Sequence, residues 1–239
     1  METDSNSIHI NKNKPKVGWF CNYTPIEIIY ALDLQPYRVL GNNKKNFRAD
    51  AYLHTPACPY AKNCLDIALN GDLSFLDGVI FNSSCIIMNS LYYLWKNYIK
   101  TPFIYLLDVP RQDTDRAILF YSENLKKMTE ALSQHFGKPF NHDRLRHSMI
   151  KQNQIRELLN RFSEQSSTLT PKLHYSQFQS LINKGFFKSQ EEFENDLRKH
   201  LAKTESSPSI KSCQKRILFT MAFTATWRGA SGKRTNRTS

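Results

Sequence analysis

Residues 78–107 read GVIFNSSCIIMNSLYYLWKNYIKTPFIYLL. Gly78-Val79-Ile80-Phe81 is a short apolar run of the length of a buried strand, and Phe103-Ile104-Tyr105-Leu106-Leu107 is a second one. Between them, Ile86 to Ile99 carries Leu, Tyr and Trp in a helical stretch. Two strands joined through a helix run parallel, because the crossover returns the chain to the end of the sheet from which it started. This unit decides the fold class.

Working toward the N-terminus, the alternation repeats. Lys16-Val17-Gly18-Trp19-Phe20-Cys21 reads as a strand, Pro25 to Leu32 as a helix with Pro in its first turn, and Tyr37-Arg38-Val39-Leu40 as a strand closed by Gly41. Pro59 to Leu69 reads as a helix that stops before Gly71. Four strands separated by helices predict an α/β fold, a parallel, doubly wound, Rossmann-like sheet over residues 16–112. A polar N-terminus, 1–15, precedes it and is expected to be disordered.

Working toward the C-terminus, the character changes after Asp108-Val109-Pro110-Arg111 to long, charged, amphipathic segments. Helices are predicted for Asp113 to Phe136 and Asp143 to Phe162, joined by a Gly137-Lys138-Pro139 turn. Ser163 to Pro171 reads as a polar linker, followed by helices at Tyr175 to Lys184 and Gln190 to Lys203. Residues 113–205 are thus a helical region. Residues 206–220 close on Lys215-Arg216-Ile217-Leu218-Phe219-Thr220, which begins like a buried strand opening a further domain. Residues 221–239 are small, basic and aperiodic, as expected of translation in a shifted frame.

Composition narrows the function classes. A chain of 239 residues with 40% hydrophobic and 12% aromatic residues can bury a real core. No window approaches the roughly 18 apolar residues needed to span a bilayer, and the first residues lack an apolar leader, so a cytoplasmic location is expected. Five cysteines, an odd number at irregular spacing, favour reduced thiols over a disulfide framework. The net charge of +12 invites nucleic acid, but seven of the basic residues lie in Lys211 to Ser239, which holds no acidic residue. Binding of nucleic acid through that tail is a weaker alternative.

In an open parallel sheet, ligands sit outside the carboxyl ends of the strands, where helix N-termini direct free N–H groups at bound anions. Cys58 falls just before a helix, and Cys85 between a strand end and the next helix. Thiolates presented from separate loops beside helix N-termini suit soft metals, above all iron-sulfur clusters. Cys64 falls about 9 Å further along the helix axis than Cys58, at about 1.5 Å per residue, which makes it a poorer ligand for the same site. A free cysteine also packs well as a small buried hydrophobe, and that reading stands beside the metal one. His54, His142, His147 and His174 are scattered without metal spacing and read as surface residues. Asp108 and Arg111 end a strand and face the same crevice, where an Asp also serves to turn the chain. The aromatic helix from Leu91 to Tyr98 reads as core or subunit contact.

The wording of the segments adds to this. Trp19-Phe20-Cys21-Asn22-Tyr23-Thr24-Pro25-Ile26-Glu27-Ile28-Ile29, Ala57-Cys58-Pro59-Tyr60-Ala61-Lys62-Asn63-Cys64, Asp77-Gly78-Val79-Ile80, Ser84-Cys85, Leu91-Tyr92-Tyr93-Leu94-Trp95-Lys96 and Tyr105-Leu106-Leu107-Asp108-Val109-Pro110-Arg111 together resemble the 2-hydroxyacyl-CoA dehydratase family, which includes the benzoyl-CoA reductase subunits. The resemblance runs in order from about Lys16 to Thr220. It implies a subunit that binds a 4Fe-4S cluster through three cysteines and works beside a homologous second subunit. It also implies an ATP-dependent activator protein that injects one electron, an acyl-CoA substrate whose thioester carbonyl becomes a ketyl radical, and loss of the hydroxyl group to give an enoyl-CoA. Such an enzyme is a lyase, and no catalytic residue of this chain is assigned.

Carried over by position, Cys58 matches the family's cysteine before Pro-Tyr and Cys85 its cysteine after the third strand. These are the expected cluster ligands. Cys64 matches a recurrent family cysteine and is a third candidate for the metal, while Cys21 falls in the first-strand motif and is expected in the core. After Cys85 the family continues with Asp and then a basic residue, where this chain has Ile86, Ile87 and Asn89-Ser90. The family also continues beyond Ile217-Leu218-Phe219-Thr220 into a second α/β domain that supplies the third cysteine, which Cys213 does not match. The expectation is a C-terminally truncated member, inactive or incomplete alone. The alternative is an iron-sulfur or redox protein of the same fold without acyl-CoA activity.

Overall fold

The structure, a computed structural model, describes residues 14–41, 48–53, 57–167 and 175–205. His54, His174, Cys213, the strand opening within 206–220 and the basic tail 221–239 lie outside the described residues. The chain divides into two compact units, one up to Ser148 and one from Met149.

The first unit is a four-stranded sheet with helices on both faces. Its strands are β1 (Lys16–Trp19), β2 (Gln35–Arg38), β3 (Gly78–Asn82) and β4 (Phe103–Leu107), in the order β2-β1-β3-β4. All neighbours are parallel, with Trp19 opposite Arg38 on one side of β1 and opposite Ile80 on the other. The helices are α1 (Ile26–Ala31), α2 (Pro59–Leu69), α3 (Ile86–Tyr98) and α4 (Asp115–Phe136). The expected parallel α/β sheet is therefore present.

Period-two alternation explains how β3 can be buried along its whole length. Val79 and Phe81 enter the core formed with α2 and α3, alongside Leu65, Leu91 and Trp95. Ile80 faces the other core, with Ile29 and Leu32 at α1 and Met128 and Leu132 of α4. The chain leaves β1 toward β2 on one side and reaches β3 on the other. The point between β1 and β3 is thus the topological switch point, where a crevice opens at the carboxyl ends of the strands.

Strand ends differ from the sequence-based expectation. β1 stops at Trp19, because the chain turns at Cys21, whose carbonyl accepts the Thr24 N–H at 2.9 Å. β2 begins at Gln35, two residues before the predicted run, with Pro36 inside it. Pro36 is tolerated because β2 is an edge strand, where one side of the backbone needs no donor. α4 starts at Asp115, since Thr114 caps it by accepting the Ala117 N–H at 3.2 Å. It ends at Gly137, whose φ of 62° makes the left-handed turn that glycine adopts without strain.

In the second unit, the part of α5 (His142–Ser167) from Met149 onward contributes Ile155, Leu158, Leu159 and Phe162 to a core shared with α6 (Tyr175–Gly185) and α7 (Gln190–Glu205). α5 continues through Ser163 to Ser167, part of the stretch that reads as a linker. Polar residues alone do not end a helix, and no Gly or Pro intervenes before Pro171.

Candidate functional site

Three described segments reach the carboxyl edge of the sheet beside the switch point: 20–25 after β1, the start of α2, where the Tyr60 hydroxyl meets the Phe20 and Val39 carbonyls, and 83–85 after β3. Cys58 is the N-cap residue of α2, with Pro59 in the first helical position. Cys85 is the N-cap residue of α3, in extended backbone at φ −155° and ψ 166°. Neither side chain makes a capping hydrogen bond, and both residues are exposed. A serine or aspartate at these positions would close on the first-turn N–H groups. A thiol is too weak an acceptor to do so, which leaves the sulfur at the positive end of each helix dipole open to another partner.

The β3 side of the site is held from two directions. Ser83 accepts the Val109 N–H on Oγ at 3.0 Å, and its own N–H donates to the Leu107 carbonyl at 2.9 Å, fixing the loop to the end of β4. The Thr24 hydroxyl donates to Asn82 Oδ1 at 2.7 Å, tying the loop after β1 to the end of β3 across the switch point. Asn82 is fully buried, and its Nδ2 has no hydrogen-bond partner among the described residues. No local pattern in the sequence marks Thr24 or Asn82.

Cys64 is placed differently from Cys58 and Cys85. It lies on the inner face of α2, 0% exposed, with Sγ 4.0 Å from the Val39 carbonyl oxygen. Burial pushes its thiol up from an ordinary 9.0 to about 12. The folded state therefore holds the Cys64 proton more tightly than the unfolded chain, and this contribution to stability is present below pH 9 and lost as pH rises through about 12. In native protein at pH 8, Cys58 and Cys85 are expected to alkylate with iodoacetamide while Cys64 reacts only after denaturation, as read by peptide mass spectrometry. Equal labelling of all three would contradict this placement.

Cys21, expected in the core, is half-buried in the turn after β1 because the strand ends before it. His142 and His147 are exposed on α5, His142 with its ring 5.0 Å from that of Phe140. Asp108 and Arg111 are exposed after β4, and the Asp108 carbonyl accepts from Asn124 Nδ2 at 3.2 Å. On α3, Met88, Leu91 and Trp95 are buried while Tyr93 and Tyr98 are exposed.

A buried polar group also sits at the ends of β1 and β2. Arg38 closes β2 at 2% exposure, its guanidinium 4.1 Å from the centre of the Trp19 ring and its Nη1 donating to Asn22 Oδ1 at 2.8 Å. Burial pushes its pKa down, and hydrogen bonding to Tyr60 opposes that shift. The Tyr60 hydroxyl donates to the Val39 carbonyl at 2.6 Å and approaches that of Phe20 at 3.2 Å. The signal available in the sequence is a charged residue inside the apolar run Tyr37-Arg38-Val39-Leu40.

Two exposed thiols on successive crossover helices are a donor set suited to two positions of an iron-sulfur cluster. Cys64, a buried thiol against a carbonyl, does not suit one. Among the described residues, no three His, Cys, Asp or Glu side chains come together as a metal-binding group. No helix among them is long and apolar enough to cross a membrane.

Comparison with known proteins places the chain in a family. Residues 21–224 match the family described as 2-hydroxyglutaryl-CoA dehydratase, D-component. One of the benzoyl-CoA reductase subunits of Thauera aromatica is 24% identical over 204 residues, covering 84% of this chain and 53% of that protein. The beta subunit of (R)-2-hydroxyglutaryl-CoA dehydratase from Acidaminococcus fermentans is 33% identical over 75 residues, 31% of this chain and 20% of that protein. The chain thus spans about half the length, or less, of these curated relatives. With a parallel sheet that carries Cys58 and Cys85 at its carboxyl edge, and a family match over most of its length, the chain belongs to the 2-hydroxyglutaryl-CoA dehydratase D-component family.

Proposed function

We propose that this chain is the cluster-holding part of a 2-hydroxyacyl-CoA dehydratase subunit, a lyase component in which Cys58 and Cys85 are thiolate ligands of a 4Fe-4S cluster. The observation that carries this reading is the placement of two exposed, uncapped thiols at the N-termini of α2 and α3. A cluster bound there supplies one-electron chemistry to an acyl-CoA thioester. The protein's part is positioning. Cys58 and Cys85 bind, the free N–H groups of both helices offset the negative charge of thiolates and sulfides, the Thr24–Asn82 and Ser83–Val109 hydrogen bonds hold the loop that leads to Cys85, and the Tyr60 hydroxyl on the Val39 carbonyl holds the turn that bears Cys58. The remaining coordination comes from outside the described residues. A homologous second subunit and an ATP-dependent activator protein complete the proposed enzyme.

Anaerobic reconstitution with iron and sulfide, in the presence of dithiothreitol to fill open coordination, tests the reading. A brown protein with a reducible cluster in electron paramagnetic resonance is expected; a colourless protein with no signal overturns it. Dehydration of a 2-hydroxyacyl-CoA on adding activator and second subunit then separates a dehydratase from a redox protein of the same fold.

A further inference from the structure

Arg38 is costly where it stands. Moving a guanidinium from water to 2% exposure carries a desolvation penalty that nearby groups must offset. Its surroundings do so in an organised way. The Trp19 face lies 4.1 Å from the guanidinium carbon, Asn22 Oδ1 accepts from Nη1 at 2.8 Å, and the Tyr60 hydroxyl adds a further hydrogen bond. The Tyr60 hydroxyl is itself anchored on the ends of β1 and β2, and Tyr60 sits in the first turn of α2, just after Cys58. Cys64, further along the same helix, meets the same Val39 carbonyl as Tyr60, its Sγ 4.0 Å from the oxygen. The arrangement fixes a permanent positive charge at the carboxyl end of β2, against Tyr60 in the first turn of the helix that presents Cys58.

We propose that Arg38 is a positioning residue that raises the reduction potential of a cluster held at Cys58 and Cys85. The proposal rests on the cluster-binding reading above. The reduced cluster carries one more negative charge than the oxidised one, so a fixed cation nearby stabilises the reduced form. Inside a protein this attraction is weakly screened and outlasts changes in salt. The step is an electron transfer alone: one electron passes from a low-potential reductant to the oxidised cluster, and no bond forms or breaks. Arginine suits the role because it stays charged when buried and its planar fork fits Asn22 and the Trp19 face together.

The test is a dithionite titration of the reconstituted full chain, with redox mediators and detection by electron paramagnetic resonance. Asn22→Asp sets a carboxylate against Nη1 and cancels the charge with almost no change in shape, and Arg38→Met removes the charge outright. Both are expected to lower the reduction equilibrium constant about tenfold, about 59 mV for one electron. Arg38→Lys, which keeps the charge, stays within about threefold of the unaltered chain. Iron content and thermal melting of each variant show whether the site is still built, and Asn22→Asp decides the matter if Arg38→Met does not fold. Unaltered potentials in Asn22→Asp with a full cluster overturn the role of Arg38 while leaving the cluster reading standing. Failure of the unaltered chain to take up any cluster overturns both.

Discussion

Replacing Cys85 by alanine is expected to leave the fold unchanged and to remove most of the iron that the chain takes up on reconstitution. The physical case is the exposure of the side chain and the missing capping bond: among the described residues nothing leans on that sulfur, so its loss creates no cavity and strands no donor there. Removing an outer-shell partner of a metal ligand costs roughly 10–100-fold in affinity, and removing the ligand itself should exceed that. Cys58→Ala is expected to behave alike. Cys64→Ala is the contrast: it deletes a fully buried group and lowers stability by roughly 1 kcal/mol while iron content stays near that of the unaltered chain. Iron and sulfide analysis together with thermal melting separates the cases. A Cys64→Ala chain without iron, beside a Cys85→Ala chain with a full cluster, would reverse the assignment.

Phe81→Ala is expected to cost about 3–5 kcal/mol, the largest loss of stability at any single position discussed. Phe81 is fully buried in β3, stacked on Phe20 at 4.6 Å between ring centroids and in edge contact with Trp95 at 5.6 Å and Tyr92 at 5.8 Å. Truncation removes a ring that joins β3, α3 and the residue after β1, and backbone on both sides prevents the cavity from closing. At about 2–4 °C per kcal/mol for a unit of this size, the melting temperature should fall by roughly 6–20 °C. Tyr93→Ala, on the exposed side of α3, should stay within about 0.5 kcal/mol. Urea unfolding monitored by circular dichroism checks both, and a loss below about 1 kcal/mol for Phe81→Ala would show that this aromatic cluster does not hold the sheet together.

Much of the sheet was legible because local pattern and tertiary role coincide. The runs at Gly78 and Phe103 are apolar because β3 is buried between helices and β4 packs partly buried beside it, and Pro59 and Gly71 bracket α2 as its chemistry requires. Boundaries were not legible where neighbours, rather than local preference, set them. Pro36 lies in a strand only because β2 is at the edge, and α5 runs past Phe162 because nothing in Ser163 to Ser167 opposes it. Cys21 illustrates the same limit, since an apolar run cannot show at which residue pairing with β2 and β3 stops.

The sequence by itself determined the alternation of strand and helix, and with it the parallel α/β sheet and the placing of Cys58 and Cys85 just before helices. It did so because hydrophobic period and turn chemistry are local properties. Only the tertiary structure decided strand order, the switch point between β1 and β3, the burial of Cys64, and the packing of Arg38 against Trp19, Asn22 and Tyr60. These follow from which elements pack together, and residues 16 apart, such as Arg38 and Asn22, or 58 apart, such as Thr24 and Asn82, become partners only when the sheet brings their strand ends side by side.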